Sequence, residues 1–350
     1  MRVALVGYGT GGSVFHAPMI TATEGLELAA VVTNDAERRA DVKRRYPQAA
    51  LFGDPGEIWD DPADYDLAVI TTPNRTHAPL AQAALAAGMH VVIDKPVATT
   101  VNDARTIAAF AQEHDRTAIP FHNRRYDGDF LTVRRLLDDG DLGAVHRFES
   151  RFERWRPEIK PGWKESADPA DGGGIQFDLG AHLIDQAIAL FGTPARVYAE
   201  MDVRRSGAKA VDDAFIALTF GEPSDDAVRA HLWMSAVAAD LGPRFRVLGA
   251  EAAYVKYGLD PQEQALRDGR TPDEDEWGAD PEELYGTLGT TGDTMRVPTE
   301  PGRYQRFYAD VLACLSDGAP PPATMDDAIT GLRVIEAANR SARVGVLVPL

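Results

Sequence analysis

The chain has 350 residues, more than one hydrophobic core usually holds, so its length predicts two domains. Its apolar fraction of 44% and charged fraction of 26% are typical of a soluble globular protein. The formal net charge of -18 argues against nucleic acid and anionic membrane surfaces as partners, because both bind clustered Lys and Arg side chains.

The sequence predicts a cytoplasmic protein. We expect no signal peptide, because the first residues have the pattern of a strand rather than a basic segment followed by an apolar one. No apolar run approaches the roughly 20 residues that span a bilayer. The single cysteine, Cys314, cannot form an intramolecular disulfide, which suits a reducing compartment.

The first third of the chain alternates apolar strands with helical patterns. The predicted strands are 3–7, 26–33, 66–72, 90–94 and 117–123. The predicted helices between them are 36–46, 77–88 and 101–114. Because these strands are apolar throughout, both faces of their sheet should be covered. The strand–helix–strand repetition therefore predicts a doubly wound parallel sheet of the Rossmann type over residues 1–123.

The pattern changes after residue 123. Several later runs alternate apolar with polar residues, which indicates a mixed or antiparallel sheet with one face in water. These runs are 144–155, 195–205, 213–221, 227–237 and 244–258. We expect an α+β domain with a large open sheet over residues 124–350.

Helices and one loop complete that second domain. Helical patterns cover 129–138, 303–316 and 325–342, and the last of these is a candidate to pack back on the first domain. The acidic segment 260–300 is rich in Gly, Pro and Thr, so we expect a long excursion or loop there.

A glycine-rich loop, "GYGTGG", follows the first strand. Gly7, Gly9 and Gly12 match the pattern G-x-G-x-x-G at a strand-to-helix turn. The first glycine permits the tight turn, the second lets backbone approach a pyrophosphate, and the third lets the helix pack on the strand. With Thr10 and Gly11 they are predicted to bind a dinucleotide at the helix N-terminus. A glycine-rich turn without a ligand is the alternative.

The end of the second strand bears on the choice of dinucleotide. An NAD site usually has an acidic residue there, whereas this chain has Thr33 and Asn34, followed by Arg38 and Arg39. A neutral residue followed by arginines suits a 2′-phosphate, so NADP is favoured. NAD stays open, because Asp35 could turn inward and the arginines could form a solvated helix face.

The third and fourth strands end in "TTPNRTH" and "DKP". Both ends lie at the carboxyl edge of the sheet, where doubly wound folds bind ligands. The cofactor contacts predicted in these segments are Thr72, Pro73, Asn74, His77, Asp94 and Lys95. Lys95 is either aimed into the crevice or a surface charge at a strand end. His77 could instead begin a helix without touching a ligand, and Pro96 is a candidate for a cis peptide.

The stretch "DLGAHLID" gathers polar residues on one helix face. On a helical wheel His182 and Asp185 fall within about 40 degrees of Asp178, and Gly192 is placed to end the helix. By spacing alone this stripe is either a solvated face or part of an active site. A metal site is disfavoured, because no cysteine or second histidine is near.

The glycine loop, "DKP" and "GGGIQFDLGAHLID" together resemble the glucose–fructose oxidoreductase / inositol dehydrogenase / MocA family (Gfo/Idh/MocA). The resemblance covers essentially the whole chain. The family's usual Glu-Lys-Pro stands here as Asp94-Lys95-Pro96, which keeps the lysine. Four longer stretches are similar to the NADP-dependent scyllo-inositol dehydrogenase branch: "GYGTGGSVFHAPMI", "FHNRRYDGDFLTVRRLL", "ESRFERWRPEIKPGW" and "YVKYGLDPQEQALRDG".

The resemblance implies an NAD(P)-dependent dehydrogenase. The substrate would be a secondary alcohol or ketone of a cyclic polyol or sugar, with scyllo-inositol and its ketone favoured. His182 would face the nicotinamide and remove the hydroxyl proton, Lys95 would stabilise the reacting oxygen, and Asp178 would bind a neighbouring hydroxyl or orient the histidine. A homodimer or homotetramer is implied as well. A non-catalytic NAD(P)-binding regulator and an NAD-dependent glycosidase of the same superfamily remain alternatives.

Substrate contacts are expected after the last strand of the first domain and in the proline-rich "RWRPEIKPGW", because a polyol needs several donors and acceptors. They are Asn123, Arg125, Tyr126, Arg154, Arg156, Lys160 and Trp163, in addition to Asp178 and His182. An ordinary surface loop with a packed tryptophan is the alternative for the proline-rich segment.

Overall fold

The computed structural model describes residues 1–159, 162–221 and 227–350. Over residues 1–123, all of them described, six strands alternate with helices. The strands are β1 (Arg2–Val6), β2 (Glu27–Val32), β3 (Ala50–Phe52), β4 (Leu67–Ile70), β5 (His90–Ile93) and β6 (Ala118–Pro120). The helices are α1 (Ala17–Thr21), α2 (Ala36–Arg45), α3 (Gly56–Trp59), α4 (His77–Ala86) and α5 (Val101–Glu113).

These strands form one parallel sheet in the order β3-β2-β1-β4-β5-β6. The chain starts at the centre of the sheet and winds outward in both directions, so the predicted Rossmann architecture is confirmed. Strand β4 is completely buried, as its uninterrupted apolar sequence requires when helices cover both faces. Strand β3 and helix α3 were not predicted, because three or four residues carry too little periodicity to stand out.

Over the rest of the chain the described residues form nine strands and five α-helices. The strands are β7 (Val145–Glu153), β8 (Arg196–Asp202), β9 (Asp213–Phe220), β10 (Val228–Ser235), β11 (Phe245–Gly249), β12 (Ala253–Lys256), β13 (Gly286–Thr290), β14 (Asp293–Val297) and β15 (Val348–Pro349). The helices are α6 (Gly128–Asp138), α7 (Ala181–Phe191), α8 (Gln262–Arg267), α9 (Gln305–Asp317) and α10 (Met325–Val344).

The nine strands form a second sheet in the order β14-β13-β12-β11-β7-β10-β9-β8-β15. Strands β7 and β10 pair in parallel and the other neighbours are antiparallel, which confirms the expected mixed sheet. Alternate residues such as Ile216 and Leu218 point into a core that also contains Leu183 of α7 and Val334 of α10. The alternation of apolar and polar residues in the sequence therefore corresponds to a sheet with one covered face.

Two expectations for this region were wrong. The segment 260–300 is not a continuous loop, because it contains α8 and the hairpin of β13 and β14. Three glycines, at 286, 289 and 292, obscure the strand pattern there. The run 244–258 is two strands rather than one, because the chain turns between Gly249 and Ala253 so that β11 and β12 pair with each other.

The chain divides into two compact units. Unit 1 comprises Met1–Asn123, Gln262–Trp277 and Arg303–Ile329, and unit 2 comprises Arg124–Pro261, Gly278–Gly302 and Thr330–Leu350. The sequence pattern predicts a single division of the chain, into residues 1–123 and 124–350. The chain instead returns to unit 1 twice, bringing α8 and α9 with it, and α10 begins in unit 1 and continues into unit 2. Within the described ranges, no helix is both long enough and apolar enough to cross a membrane.

Candidate active site

The glycine loop of unit 1 has the close contacts that its sequence pattern requires. Gly7 has a φ of +101°, and a Cβ there would lie 2.8 Å from the carbonyl oxygen of Thr71. A Cβ on Gly12 would lie 2.3 Å from the carbonyl oxygen of Gly7. Gly9 is different, because its nearest atom would be an Arg38 nitrogen at 3.9 Å. The first and third glycines are thus needed by the fold itself, whereas the open space at the second fits an approaching pyrophosphate.

A π-helical turn, Gly11–His16, follows the loop and leads into α1. Thr10 stands exposed just before this turn. A Cβ on Gly11 would lie 2.7 Å from the Asp94 carboxylate, so that carboxylate is in close contact with the loop. The predicted loop residues therefore lie together with Asp94, which follows β5.

Helix α2, which follows β2, places Arg38 beside the glycine loop. The Asp35 side chain accepts the backbone N–H of Arg38 at 2.9 Å and so caps α2. Arg38 is exposed, and among the described residues its guanidinium makes no hydrogen bond or ion pair. Asp35 is thus engaged in capping while the Arg38 guanidinium, next to Gly9, is available to an anion.

Arg39 has a different task from its neighbour. Its guanidinium donates to the carbonyl oxygens of Thr33 and Phe52, both at 3.0 Å, and so ties the ends of β2 and β3 together. Thr33 is buried and its N–H donates to Phe52, while Asn34 is exposed. Of the two arginines considered from the sequence, only Arg38 remains a candidate ligand for a phosphate.

His77 joins the two strand ends on the other side of the loop. Its Nε2 lies 2.7 Å from the carbonyl oxygen of Thr72, and its Nδ1 lies 2.8 Å from that of Pro96. The Lys95–Pro96 peptide is cis. Asn74 is buried and Pro73 exposed. His77 therefore begins α4, as one of the alternatives from the sequence had it, and it also joins the backbone of "TTPNRTH" to that of "DKP".

Asp94 and Lys95 lie directly after β5. The Asp94 side chain accepts the N–H of Lys95 at 2.8 Å, and both side chains are partly exposed. The Nε2 of His16 lies 4.0 Å from the other Asp94 oxygen. His16 Nδ1 lies 2.6 Å from the Tyr308 hydroxyl. Sequence reasoning missed His16 and Tyr308, because they are separated by 292 residues.

Burial sets the protonation of this histidine. His16 is fully buried and stacks on Phe121 with ring centroids 3.9 Å apart. Burial lowers the pKa of His16 from 6.5 to about 4, against a smaller opposing effect of the Asp94 charge. His16 is therefore an uncharged neighbour of Asp94 near pH 7.

In unit 2, helix α7 starts with the residues that the resemblance singled out. Asp178 lies on a π-helical turn, Gln176–Gly180, and His182 lies in the first turn of α7. His182 is buried, and its ring centroid is 6.4 Å from that of Phe152. Asp178 is partly exposed. The two side chains thus come from the same helical start, as the sequence predicted, although the π-helical turn shifts the simple α-helical phase between them.

Asp185 does not share the exposure of Asp178. It accepts hydrogen bonds from Arg125, at 3.0 Å from Nε and 2.7 Å from Nη2, and both side chains are largely buried. Arg125, expected to contact substrate, is therefore engaged in a bidentate ion pair. The next residue, Gln186, donates to the carbonyl oxygen of Arg124 at 2.7 Å and accepts from Arg244 at 2.7 Å. These contacts fix the rotation of α7.

Arg244 is the centre of a buried polar network. Its guanidinium pairs with Asp129 of α6 at 3.2 Å and donates to Ser150 of β7 at 2.6 Å, as well as to Gln186. Arg244 and Asp129 are almost completely buried. Such a network is satisfied only when α6, β7 and α7 hold one arrangement, so it fixes the helix that carries His182.

The remaining predicted substrate contacts are spread over both units. Asn123, the last residue of unit 1, is buried, and Tyr126 is partly exposed. The Arg154 guanidinium lies over the Phe152 ring at 4.7 Å. Arg156 is exposed and its N–H donates to the carbonyl oxygen of Ala236, whereas Trp163 is half-buried. Lys160 lies outside the described residues.

One charged residue near α7 was not predicted. Lys164 Nζ donates to the Asp178 carboxylate at 2.6 Å. Its only sequence signal is its place at the end of "KPGWK", within the segment expected to contact substrate. Over the described residues, no three His, Cys, Asp or Glu side chains group as metal ligands would.

Comparison with known proteins places the whole chain in one family. Two Gfo/Idh/MocA family models match the chain. The model described as "Oxidoreductase family, NAD-binding Rossmann fold" matches residues 1–122, and the model described as "Oxidoreductase family, C-terminal alpha/beta domain" matches residues 134–350. The scyllo-inositol 2-dehydrogenase (NADP(+)) of Bacillus subtilis (strain 168) is 35% identical over 347 residues, 98% of this chain and 94% of that protein. The oxidoreductase YdgJ of Escherichia coli (strain K12) is 40% identical over 98% of this chain and 96% of its own.

A solved structure is similar to this chain over its full length. The oxidoreductase YvaA of Bacillus subtilis is 34% identical, with a TM-score of 0.92 over 100% of this chain and 98% of its own. Its match extends over both sheets described above, so the resemblance in fold is that of the complete chain. The chain belongs to the Gfo/Idh/MocA family of oxidoreductases and is an NAD(P)-dependent dehydrogenase that acts on CH–OH groups.

Proposed function

We propose that the protein transfers a hydride between NADP and a secondary alcohol or ketone of a cyclic polyol or sugar, with scyllo-inositol and its ketone as the favoured pair. The observation that carries the proposal is the start of α7, where a buried imidazole, His182, follows a partly exposed carboxylate, Asp178. The relative that is 35% identical is an NADP-dependent scyllo-inositol dehydrogenase, which supports both the substrate and the cofactor.

The roles follow from the chemistry of alcohol oxidation, in which carbon loses a hydride and oxygen loses a proton. When bound, the nicotinamide supplies the hydride acceptor or donor. His182 takes the hydroxyl proton, since an imidazole ordinarily titrates near neutrality. Lys95, as an ammonium, donates a hydrogen bond to the reacting oxygen and stabilises its developing negative charge. Asp178 accepts a hydrogen bond from a neighbouring substrate hydroxyl or holds the histidine in orientation.

The residues of unit 1 supply the cofactor site in this proposal. Gly9 leaves room for the pyrophosphate, and Gly7, Thr10, Gly11 and Gly12 form the surrounding loop. Arg38 binds the 2′-phosphate, because its guanidinium is exposed beside Gly9 and Asp35 is occupied in capping α2. The other proposed cofactor contacts are Thr33, Asn34, Thr72, Pro73, Asn74, His77, Asp94 and Lys95. NADP is therefore preferred over NAD.

The rest of the proposal concerns substrate and assembly. We assign cofactor binding to residues 1–123 and substrate binding to residues 124–350. Asn123, at the boundary, and Tyr126, Arg156 and Trp163 join Asp178 and His182 as substrate contacts, whereas Arg125 acts by holding Asp185. The enzyme is a cytoplasmic homodimer or homotetramer, and light scattering of the purified protein measures that assembly directly.

A substrate panel tests the proposed function. The purified protein is mixed with inositols and aldoses, with NADP and NAD in parallel, and the absorbance of reduced cofactor is followed. We expect turnover of scyllo-inositol with NADP. The variant His182→Gln should lower kcat by about 10²- to 10⁴-fold, as loss of a general base does. His146→Gln, at an exposed position in the same unit, should leave kcat unchanged.

Two outcomes would replace the proposal. Cofactor binding without reduction by any polyol would indicate a non-catalytic regulator. Hydrolysis of glycosides without net reduction of cofactor would indicate the glycosidase chemistry. Turnover of polyols with NAD alone would retain the oxidoreductase and overturn the role given to Arg38.

A further inference from the structure

The short 3-10 turn Trp163–Glu165 holds a lysine against the start of α7. Lys164 Nζ donates to Asp178 Oδ1 at 2.6 Å, and its side chain is 53% exposed while that of Asp178 is 26% exposed. Asp178 precedes His182 by four residues on the same helical segment. A cation thus stands beside the carboxylate to which a substrate hydroxyl is assigned.

Backbone contacts fix this pair, unlike most surface ion pairs. The N–H of Gly174 donates to the carbonyl oxygen of Lys164 at 2.9 Å, and the N–H of Asp178 donates to the carbonyl oxygen of Gly174 at 3.1 Å. The backbones of Lys164 and Asp178 are therefore both hydrogen-bonded to Gly174. A Cβ on Gly173 would lie 2.2 Å from the carbonyl oxygen of Ser166, so this close approach of the two segments requires the glycine.

Glu165, the last residue of the turn Trp163–Glu165, fixes the turn through an ion pair. Glu165 pairs with Arg205 at 2.7 Å, and Arg205 also pairs with the fully buried Asp212 at 2.9 Å. Arg205 itself is 7% exposed. Because Glu165 is held by the buried Arg205, which Asp212 fixes in turn, the position of Lys164 is set by the fold rather than by its own ion pair.

The chemistry of the pair matches two adjacent hydroxyl groups. An ammonium has three N–H donors, and within the described part of the chain Asp178 is the only group to which Lys164 donates. Two donors on a half-exposed group are left for solvent or ligand. A hydroxyl can donate to the Asp178 carboxylate while the oxygen of a vicinal hydroxyl accepts from Lys164. A monohydroxy compound offers the pair a single oxygen, whereas a vicinal diol offers one oxygen to each member.

We propose that Lys164 is a specificity-determining residue that, together with Asp178, recognises a vicinal diol in the substrate. This inference rests on the proposed function and narrows its substrate class to polyols and sugars in which the hydroxyl next to the reacting carbon has a vicinal hydroxyl of its own. Lys164 takes no part in proton or hydride transfer. Its loss therefore weakens substrate binding and leaves the chemical step largely intact.

Kinetics with two substrates test this role. Lys164→Met is compared with the unchanged protein on an inositol and on the deoxy analogue that lacks the hydroxyl assigned to Lys164, two carbons from the reacting one. We expect KM for the inositol to rise about 10- to 100-fold, as loss of a charged hydrogen bond predicts, with kcat changed by less than about threefold. The KM for the deoxy analogue should change much less, because that contact is already missing.

Matched variants separate recognition from structure. Lys164→Arg keeps the charge and the donors and should restore most of the inositol KM. Lys209→Met removes an exposed lysine of the same unit and should change nothing. Thermal unfolding of each variant checks that the fold is kept. Equal rises in KM for the inositol and its deoxy analogue, or no rise at all, would overturn the role of Lys164.

Calorimetric binding of the inositol in the presence of NADP distinguishes this inference from the proposed function. If the unchanged protein binds the inositol without turnover and Lys164→Met does not bind it, the proposed reaction is wrong and the recognition role stands. If the unchanged protein turns the inositol over and Lys164→Met behaves identically, the reaction stands and the recognition role is wrong. If the unchanged protein does not bind the inositol, both are wrong.

Discussion

Arg38 is the side chain on which the cofactor preference depends. Its neighbour Asp35 caps α2 through the N–H of Arg38, and the Arg38 guanidinium lies free beside Gly9. We expect Arg38→Gln to raise the KM for NADP by about 10- to 100-fold, the size of a lost charged hydrogen bond to phosphate. The KM for NAD should stay within about twofold. Initial rates with each cofactor measure both.

Lys43→Gln is the matched control, since it removes an exposed cation from the same helix. It should leave the ratio of the two KM values unchanged. An equal loss of NADP affinity in both variants would mean that the general charge of α2, rather than Arg38, attracts the phosphate.

His16 makes the stability of the protein depend on pH. Its folded pKa is about 4, lowered from 6.5 by burial, so the unfolded chain takes up a proton below pH 6.5 that the folded chain refuses until about pH 4. The stability is therefore complete above pH 6.5 and falls as the pH drops to 4, by about 3 kcal/mol from this group. Asp94, His77 and Tyr308 are the charged or titratable groups around it.

Urea unfolding at pH 7 and at pH 4.5 measures this effect. His16→Gln should lose less stability between the two pH values than the unchanged protein does, because its side chain does not titrate. His146→Gln, exposed, should follow the unchanged protein. Identical pH dependence in all three would show that the loss arises from carboxylates alone.

Single residues were predictable from the sequence where a local motif carries them. The glycine loop, Lys95 and the pair of Asp178 and His182 lie in short motifs, and the close contacts of Gly7 and Gly12 are those that the loop pattern requires. Partners distant in sequence were not predictable. Asp185 pairs with Arg125, 60 residues away, so its place on the polar stripe of α7 did not reveal that it is buried.

The glycine loop, taken as an element, contains two kinds of glycine. A Cβ on Gly12 would lie 2.3 Å from the Gly7 carbonyl oxygen, whereas one on Gly9 would meet nothing closer than 3.9 Å. We expect Gly12→Ala to cost about 2–4 kcal/mol of stability, because backbone must move. Gly9→Ala should leave the unfolding temperature nearly unchanged and weaken NADP binding.

Thermal unfolding without cofactor, followed by fluorescence titration with NADPH, separates the two effects. Gly140→Ala is not a suitable control, since its φ is +77°, but Gly162 has open space around it and an extended φ of 163°. Gly162→Ala should change neither quantity. A large loss of stability in Gly9→Ala would mean that the loop itself, without a ligand, needs that glycine.

Elements were predicted in proportion to their length and periodicity. The apolar strands β1, β2, β4 and β5 of the first sheet and the alternating strands β9 and β10 were predicted within a few residues. The strand β3 has three residues, and β13 contains two glycines in five, so neither has a clear pattern. The π-helical turn before α7 depends on tertiary contacts such as that of Gly174 with Lys164, which no local periodicity encodes.

At the scale of the whole molecule the sequence predicted the two sheets but not the path of the chain between the units. Residues 262–277 and 303–329 follow the second sheet in sequence and yet belong to unit 1. An amphipathic helix such as α9 shows only that one face is covered, not what covers it. The first division, after residue 123, coincides with a change in the pattern of apolar residues. The two later points at which the chain returns to unit 1 coincide with no such change.

Unit 1 therefore depends on a helix from the far end of the chain. Phe307 and Tyr308 of α9 are fully buried. The Phe307 ring lies 4.8 Å from that of Phe121, and the Tyr308 hydroxyl lies 2.6 Å from His16. A fragment of residues 1–123 would expose the apolar surface that α9 covers, at a cost of about 3–6 kcal/mol for two large side chains.

We expect this fragment to be less stable than one in which residues 303–329 are joined to it by a flexible Gly/Ser linker. Circular dichroism on heating should give a lower midpoint for residues 1–123 alone, and that fragment should bind a dye specific for exposed apolar surface. Phe307→Ala in the linked fragment should return it toward the behaviour of the short one, while Arg306→Ala, next to it and exposed, should not. Equal midpoints for the two fragments would mean that the Rossmann sheet of residues 1–123 is stable without α9, and that the division expected from the sequence marks an independently folding domain.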